Sequence, residues 1–336
     1  MPPVLTDAER AMYEQIDRDS IDFLMTRYNR VNRWVVADLL RRSAYRYPDR
    51  TAVVFEDREV SYSALEADCN RMANALLDLG LERFDRVALL AHNTLHHVQT
   101  WFGCCKAGAV YLALNYLLSG RDLAWCVNHS QAKVLIVEDS LYHLVEGVLD
   151  EMPTVKTLVW SDQGAGEACR DERFRDFDEW IAAYPATEPD TILRIEDIVQ
   201  MTYTSGTESL PKGVLLSNQA LLSQYMGCIV DGNYDENDIN VNALPLYHCA
   251  ARDVFMNPVF WVGGRNVLIT PEIDTILKTL AGQKATMFFA PPTVWIGMLR
   301  HPDFDNYDLS NLAKCYYGAS IMPVQVLREL MERLPQ

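Results

Sequence analysis

Apolar residues along this chain fall into short runs, separated by longer stretches in which they recur every three or four positions. The runs predict buried strands, and the spaced stretches predict helices with one apolar face. "TAVVF" (51–55) and "EVSY" (59–62) predict a hairpin about the charged turn "EDRE". Ser63 is a candidate cap for the helix that follows, and Gly80 is its stop. Strands at 85–92, 109–115, 133–138 and 155–160 then alternate with helices at 95–106, 119–130 and 140–151. Residues 161–195 interrupt the rhythm with a polar loop and one surface helix. It resumes with a strand at 197–204, a helix at 217–231, and strands at "NVNALPL", "RNVLIT", "ATMFFA" and "AKCYYGA". Helices are expected after Asp253 and at 272–282, 293–300 and 323–333. This βαβ alternation predicts an α/β fold of stacked subdomains with mostly parallel sheets. It divides the chain into a helical segment (1–44), a first α/β subdomain (45–196) and a second (197–336).

Composition narrows the function. Nearly half of the 336 residues are apolar, enough for a large core. The formal net charge of −16 repels polyanions, which argues against nucleic-acid or anionic-membrane partners but leaves room for a small anion in a local pocket. No apolar run approaches the roughly 20 residues of a membrane span. The N-terminus is charged within its first ten residues and lacks a signal-peptide core, so a cytoplasmic protein is expected. The eight cysteines are scattered without a CxxC pair, which predicts reduced, mostly buried thiols rather than a zinc site or disulfide framework. His96 and His97 are adjacent on a predicted helix and point apart, so they do not form a metal pair. Arg252 beside Asp253 reads as a structural ion pair.

The candidate chemistry lies in "QMTYTSGTESLPKGVLLSN" (200–218), a hydroxyl-rich loop with one lysine between two apolar runs. Read as strand, loop and helix, it offers backbone N–H groups, hydroxyls and a helix N-terminus to a phosphate. Its order, Gly206 to Pro211-Lys212-Gly213, is not GxxxxGK[ST], so the Walker arrangement is excluded.

"YTSGTESLPKGV" (203–214) resembles the phosphate-binding signature of the adenylate-forming superfamily, which includes acyl-CoA synthetases, luciferases and peptide-synthetase adenylation domains. Glu208-Ser209 stands where the usual form has Thr-Gly, as in a bacterial fatty acyl-CoA ligase subgroup. "VSYSALEADCNRMANAL" (60–76), "CCKAGAVYLALNYLLS" (104–119), "ALPLYHCAARD" (243–253) and "LAKCYYGASIMP" (312–323) are similar to further family segments, in the family's order.

The resemblance implies the fold of the large N-terminal domain of the acyl-CoA synthetase/luciferase type. It implies ATP-dependent activation of a carboxylic acid to an acyl-adenylate, then transfer to coenzyme A. Thr204, Ser205, Gly206, Thr207, Lys212 and Gly213 would hold the phosphates, with Thr207 also facing Mg²⁺. His248 would sit where carboxylate meets α-phosphate, and Gly318, Ala319 and Ser320 would approach the adenine. Phe255, Val294 and Trp295 are candidates for an apolar acyl pocket. A medium- or long-chain fatty acid is the leading substrate. An aryl or other specialised acid loaded onto a carrier protein is an alternative, as is a non-catalytic acyl- or nucleotide-binding remnant, and a homodimer is left open. The family's later Tyr-Gly-x-Thr-Glu segment, ribose-binding Asp and small C-terminal domain have no counterpart before Gln336. The expectation is therefore most of an N-terminal domain, with little activity on its own.

Overall fold

The computed structural model describes residues 28–164, 169, 171–204 and 211–334. The described strands are β1 (Thr51–Phe55), β2 (Arg58–Ser61), β3 (Arg86–Leu90), β4 (Val110–Ala113), β5 (Val134–Glu138), β6 (Thr157–Ser161) and β7 (Phe174–Asp176). They continue with β8 (Ile198–Thr204), β9 (Lys212–Ser217), β10 (Ile239–Asn242), β11 (Arg265–Leu268), β12 (Met287–Ala290) and β13 (Lys314–Tyr317). The α-helices are α1 (Ala37–Arg46), α2 (Tyr62–Asp78), α3 (Leu95–Ala107), α4 (Gly120–Ser130) and α5 (Phe177–Ala182). After them come α6 (Asn218–Asp231), α7 (Asn257–Val262), α8 (Ile273–Gly282), α9 (Pro292–Leu299) and α10 (Val324–Arg333).

The strands form two sheets, ordered β13-β12-β10-β11-β1-β2 and β7-β6-β5-β3-β4-β8-β9. Both are parallel except at β2 and β9, each antiparallel on one edge. The α/β class and the mostly parallel sheets therefore hold. The sheets do not divide the chain at residue 196, however. β1 and β2 pair into the six-stranded sheet with strands from beyond residue 197, while β8 and β9 complete the seven-stranded one. Periodicity is local, whereas strand pairing is a long-range choice.

Local signals account for most element ends. The Ser61 side chain, rather than that of Ser63, caps α2 by accepting from the Ala64 N–H, because Tyr62 already begins the helix. Thr94 caps α3, and Gly108, at φ +76°, ends it in the left-handed conformation. Residues 140–151 are not one helix. Two 3₁₀ turns (Asp139–Leu144 and Leu149–Glu151) replace it, with Gly147 interrupting the pattern between them. The helix expected after Asp253 begins earlier, as a π-helical turn (Ala250–Met256) leading into α7.

α3 is buried along its whole length and joins the two sheets. One core cluster contains its Val98, Trp101 and Phe102 with Val53 and Leu268 of one sheet and Val87 and Leu89 of the other. α2 crosses α3 at Gly103, where a Cβ would overlap the Met72 side chain. Among the described cysteines, Cys69, Cys104, Cys105 and Cys126 are buried, but Cys169, Cys249 and Cys315 are exposed, so the thiols are less uniformly buried than expected. Among the described residues, no helix is long and apolar enough to cross a membrane.

Each sheet has a point where its winding reverses. β3 lies between β4 and β5, and β10 lies between β11 and β12. Crevices outside the carboxyl ends of such strands are where open α/β sheets bind ligands.

Candidate functional site

The hydroxyl-rich segment is a β-hairpin rather than a strand, loop and helix. β8 and β9 pair antiparallel from Ile198–Ser217 to Thr204–Lys212. α6 starts only after β9, and the Asn218 N–H donates to the Asp197 carbonyl beside the beginning of β8. The helix N-terminus thus lies at the opposite end of the paired strands from Thr204 and Lys212, and its dipole is not aimed at that pair. "KGVLLS" carries little strand signal, because this edge strand leaves Val214 and Leu215 open to solvent and lacks clean alternation.

Ser205, Gly206 and Thr207 lie outside the described residues. Thr204 and Lys212 face each other at the loop end of the hairpin strands, and both are exposed. Gly213 pairs with Tyr203, and a Cβ there would run into the end of the Met201 side chain. Its small size leaves room for the end of the Met201 side chain. Tyr203 anchors the hairpin to α4. Its hydroxyl donates to the Cys126 carbonyl (3.1 Å) and meets His129 Nδ1 (2.8 Å), and its ring stands edge-on to Trp125.

His248 follows β10. Its backbone N–H donates to the Pro245 carbonyl, and its exposed ring lies 4.3 Å from that of Tyr247. The row continues through Tyr116 (4.8 Å from Tyr247) to His92 (4.5 Å from Tyr116). Partial desolvation against this wall lowers the His248 pKa, which favours the neutral imidazole. At the far end, His92 Nδ1 lies 2.7 Å from Glu138 Oε1, and that hydrogen bond raises the His92 pKa.

A cleft of about 290 Å³ brings the hairpin and the histidine together. Its wall includes Asn115 and Leu118 after β4, Thr202, Tyr203, Thr204 and Pro211 of the hairpin, and Tyr247, His248 and Cys249 after β10. Gly318, Ala319 and Ser320 do not line it. They follow β13, whose parallel pairing with β12, itself paired with β10, puts them at the same sheet end as His248. Ala319 has φ +66°, and Gly318 packs against the Phe289 ring.

The three pocket residues are not brought together. Phe255 stacks on Phe289 (4.4 Å between centroids) on one face of the six-stranded sheet. Trp295 packs on Phe288 (5.3 Å) on the other face, with Val294 against the same cluster. Neighbouring residues of a strand point to opposite faces, so these side chains cannot line one tunnel.

One participant, Asn93, lies outside every family-like segment, whereas Arg252 and Asp253 end the segment 243–253. Asn93, 7% exposed, follows β3 and binds the loop that leads to His248. Arg252 and Asp253 form the expected ion pair (3.0 Å), fully buried. Asp253 also accepts from Gln200 of β8, Tyr225 of α6 and Asn257 of α7, while Arg252 lies over the rings of Trp101 and Tyr111. A polar residue inside an apolar pattern is the only sequence signal these share. His96 and His97 do point apart, toward Ser161 and Asp178 in one case and Tyr111 in the other. Ser161, His96 and Asp178 are linked in that order, but the Ser161 hydroxyl is wholly buried and cannot reach a substrate. No group of three or more metal-ligating side chains occurs among the described residues.

Comparison with protein families matches residues 40–336 to the AMP-binding enzymes. The chain belongs to the AMP-binding enzyme family. A long-chain-fatty-acid–CoA ligase of Bacillus subtilis is 28% identical over 318 residues, which cover 86% of this chain and 56% of that relative. An indoleacetate–CoA ligase of Aromatoleum aromaticum is 26% identical over 300 residues, 89% of this chain and 58% of the relative. Among solved structures, the anthranilate CoA ligase AuaEII in complex with anthranoyl-AMP superposes with a TM-score of 0.85 at 25% identity, over 90% of this chain and 58% of that one. This member of the AMP-binding family therefore spans a little over half the length of these relatives.

Proposed function

We propose that this AMP-binding domain takes part in ATP-dependent activation of a carboxylic acid to an acyl-adenylate, followed by transfer to coenzyme A. The observation that carries this reading is the cleft shared by the loop end of the hydroxyl-rich hairpin strands and His248. Such a reaction needs phosphate oxygens held at one end and a carboxylate presented at the other, and positioning with electrostatics supplies most of the rate. Thr204 and Lys212 stand at the phosphate end, with the lysine as the cation for the departing pyrophosphate. Ser205, Gly206 and Thr207 belong to the same proposal by their place in the sequence, as do Gly318 to Ser320 for the adenine. His248, held neutral, offers an N–H to the carboxylate or α-phosphate oxygen without a fixed charge that would trap the ground state. The described residues do not by themselves supply a Mg²⁺ cage.

A medium- or long-chain fatty acid is the first substrate reading, supported by the fatty-acid ligase relative. A compact aryl acid is the second. It is favoured by the small cleft with Tyr203 and Tyr247 in its wall, and by the separation of the expected tunnel residues onto two sheet faces. The test is thermal shift of this chain with acyl-sulfamoyl-adenosines of rising chain length and their aryl counterparts. Binding stabilises the fold by about 2.7 kcal/mol at a hundredfold excess over Kd. A shift that peaks at one acyl type names the substrate class. No shift with any analogue, together with no pyrophosphate release, overturns the proposal for this chain.

A further inference from the structure

Asn93 lies outside every segment that resembles the family signature, yet its side chain ties the carboxyl ends of the two sheets together. It follows β3 at the winding reversal of the seven-stranded sheet. Its amide nitrogen donates to the carbonyls of Asn242 (3.0 Å), Leu244 (2.9 Å) and Ile269 (3.3 Å), which lie at or beyond the ends of β10 and β11. Its amide oxygen accepts from the Leu246 N–H (2.9 Å). The stretch held at both ends by these bonds, 242–246, runs directly into Tyr247 and His248. Arg252 adds one further bond, to the Leu246 carbonyl (3.3 Å).

We propose that Asn93 is a positioning residue for the acyl-adenylate site: it holds the loop after β10 so that His248 faces the phosphate hairpin. This rests on the activity proposed above for the same cleft. An amide is the group this place requires. Three of its partners are carbonyls, which share its two N–H donors, and one is an N–H, which needs an acceptor. A carboxylate of the same shape would serve the N–H and set a negative charge against three carbonyl oxygens. The surrounding polar groups are backbone atoms of a buried loop, which cannot find other partners without moving.

The test compares Asn93→Asp with Asn93→Ser, which keeps a donor and serves if the aspartate variant does not fold. Two readouts are taken on the whole chain. The first is the titration of the His248 ring by NMR, assigned from the signal lost in His248→Gln, with exposed His143, away from the cleft, as the internal control. In the folded variants the His248 midpoint is expected to move toward that of a solvated histidine while the control stays put. An unchanged His248 titration overturns the proposal. The second readout is the affinity for decanoyl- and anthraniloyl-sulfamoyl-adenosine in Asn93→Asp (or Asn93→Ser), His248→Ala and the corresponding double variant. Each single variant is expected to weaken binding about tenfold, and the double variant by no more than either alone, because both remove the same contact. Losses that multiply show that Asn93 acts on general stability only and overturn the proposal. If the unsubstituted chain binds neither analogue, the proposed activity fails, and the NMR readout still decides whether Asn93 orients His248.

Discussion

His97 gives the cleanest quantitative test of the buried polar layer behind the site. Its ring is 1% exposed, its Nδ1–H donates to the His92 carbonyl (3.2 Å), and its Nε2 accepts from the Tyr111 hydroxyl. Burial, reinforced by the nearby Arg252 charge and only partly opposed by the bond to His92, pushes its pKa down to about 3. Unfolded, it returns to an ordinary value of about 6.5. Because the folded value is the lower one, the unfolded chain takes up the proton first as pH falls. The stabilisation is whole above about pH 6.5 and drains away toward pH 3. Acidification from about pH 7 to about pH 5 should remove about 2 kcal/mol through this one group. The assay is equilibrium urea unfolding at both pH values for the parent chain and for His97→Asn. Other titrating groups, such as His92 with its raised pKa and opposite sign, are common to both proteins and cancel in the difference. The variant should lose about 2 kcal/mol less than the parent over this interval. Stability curves that run parallel within about 0.5 kcal/mol would refute the assignment of a buried neutral imidazole.

The other predictions concern the frame around the cleft. Asp253→Ala leaves the Arg252 guanidinium buried without its carboxylate and should cost about 3–5 kcal/mol by denaturant unfolding; a loss below about 1 kcal/mol would mean that the ion pair does not organise this layer. Gly103→Ala forces a methyl group into Met72 where α2 crosses α3 and should cost about 1–3 kcal/mol, measured as a fall in melting temperature. Lys212→Ala should weaken ATP binding about tenfold in titration calorimetry while leaving melting almost unchanged, since this lysine is exposed. Equal ATP affinity in the variant and parent would remove the lysine from the phosphate site.

Most of the secondary structure was legible in the chain because it depends on local chemistry. Buried strands such as "VLIVE" in β5 are continuous apolar runs, and hydroxyl caps with glycine stops mark the ends of helices such as α3. The candidate chemistry was legible for a related reason. A hydroxyl-rich loop with one lysine, and a histidine between a strand and a helix, stand out against ordinary core patterning. What local pattern does not carry is the identity of neighbours. β1 pairs with β11, more than two hundred residues away, and β9 belongs to a hairpin although its sequence could as well continue into a helix.

The sequence by itself determined the α/β alternation and the segments that carry the candidate chemistry, since each is expressed within a span of about twenty positions. Only the tertiary structure decided that Thr204 and His248 share one cleft, that Phe255 and Trp295 face opposite ways, and that Asn93 joins the two sheets at their carboxyl ends. These relations follow from strand order and register, which are selected by the burial of whole faces across the molecule rather than by any local run of residues.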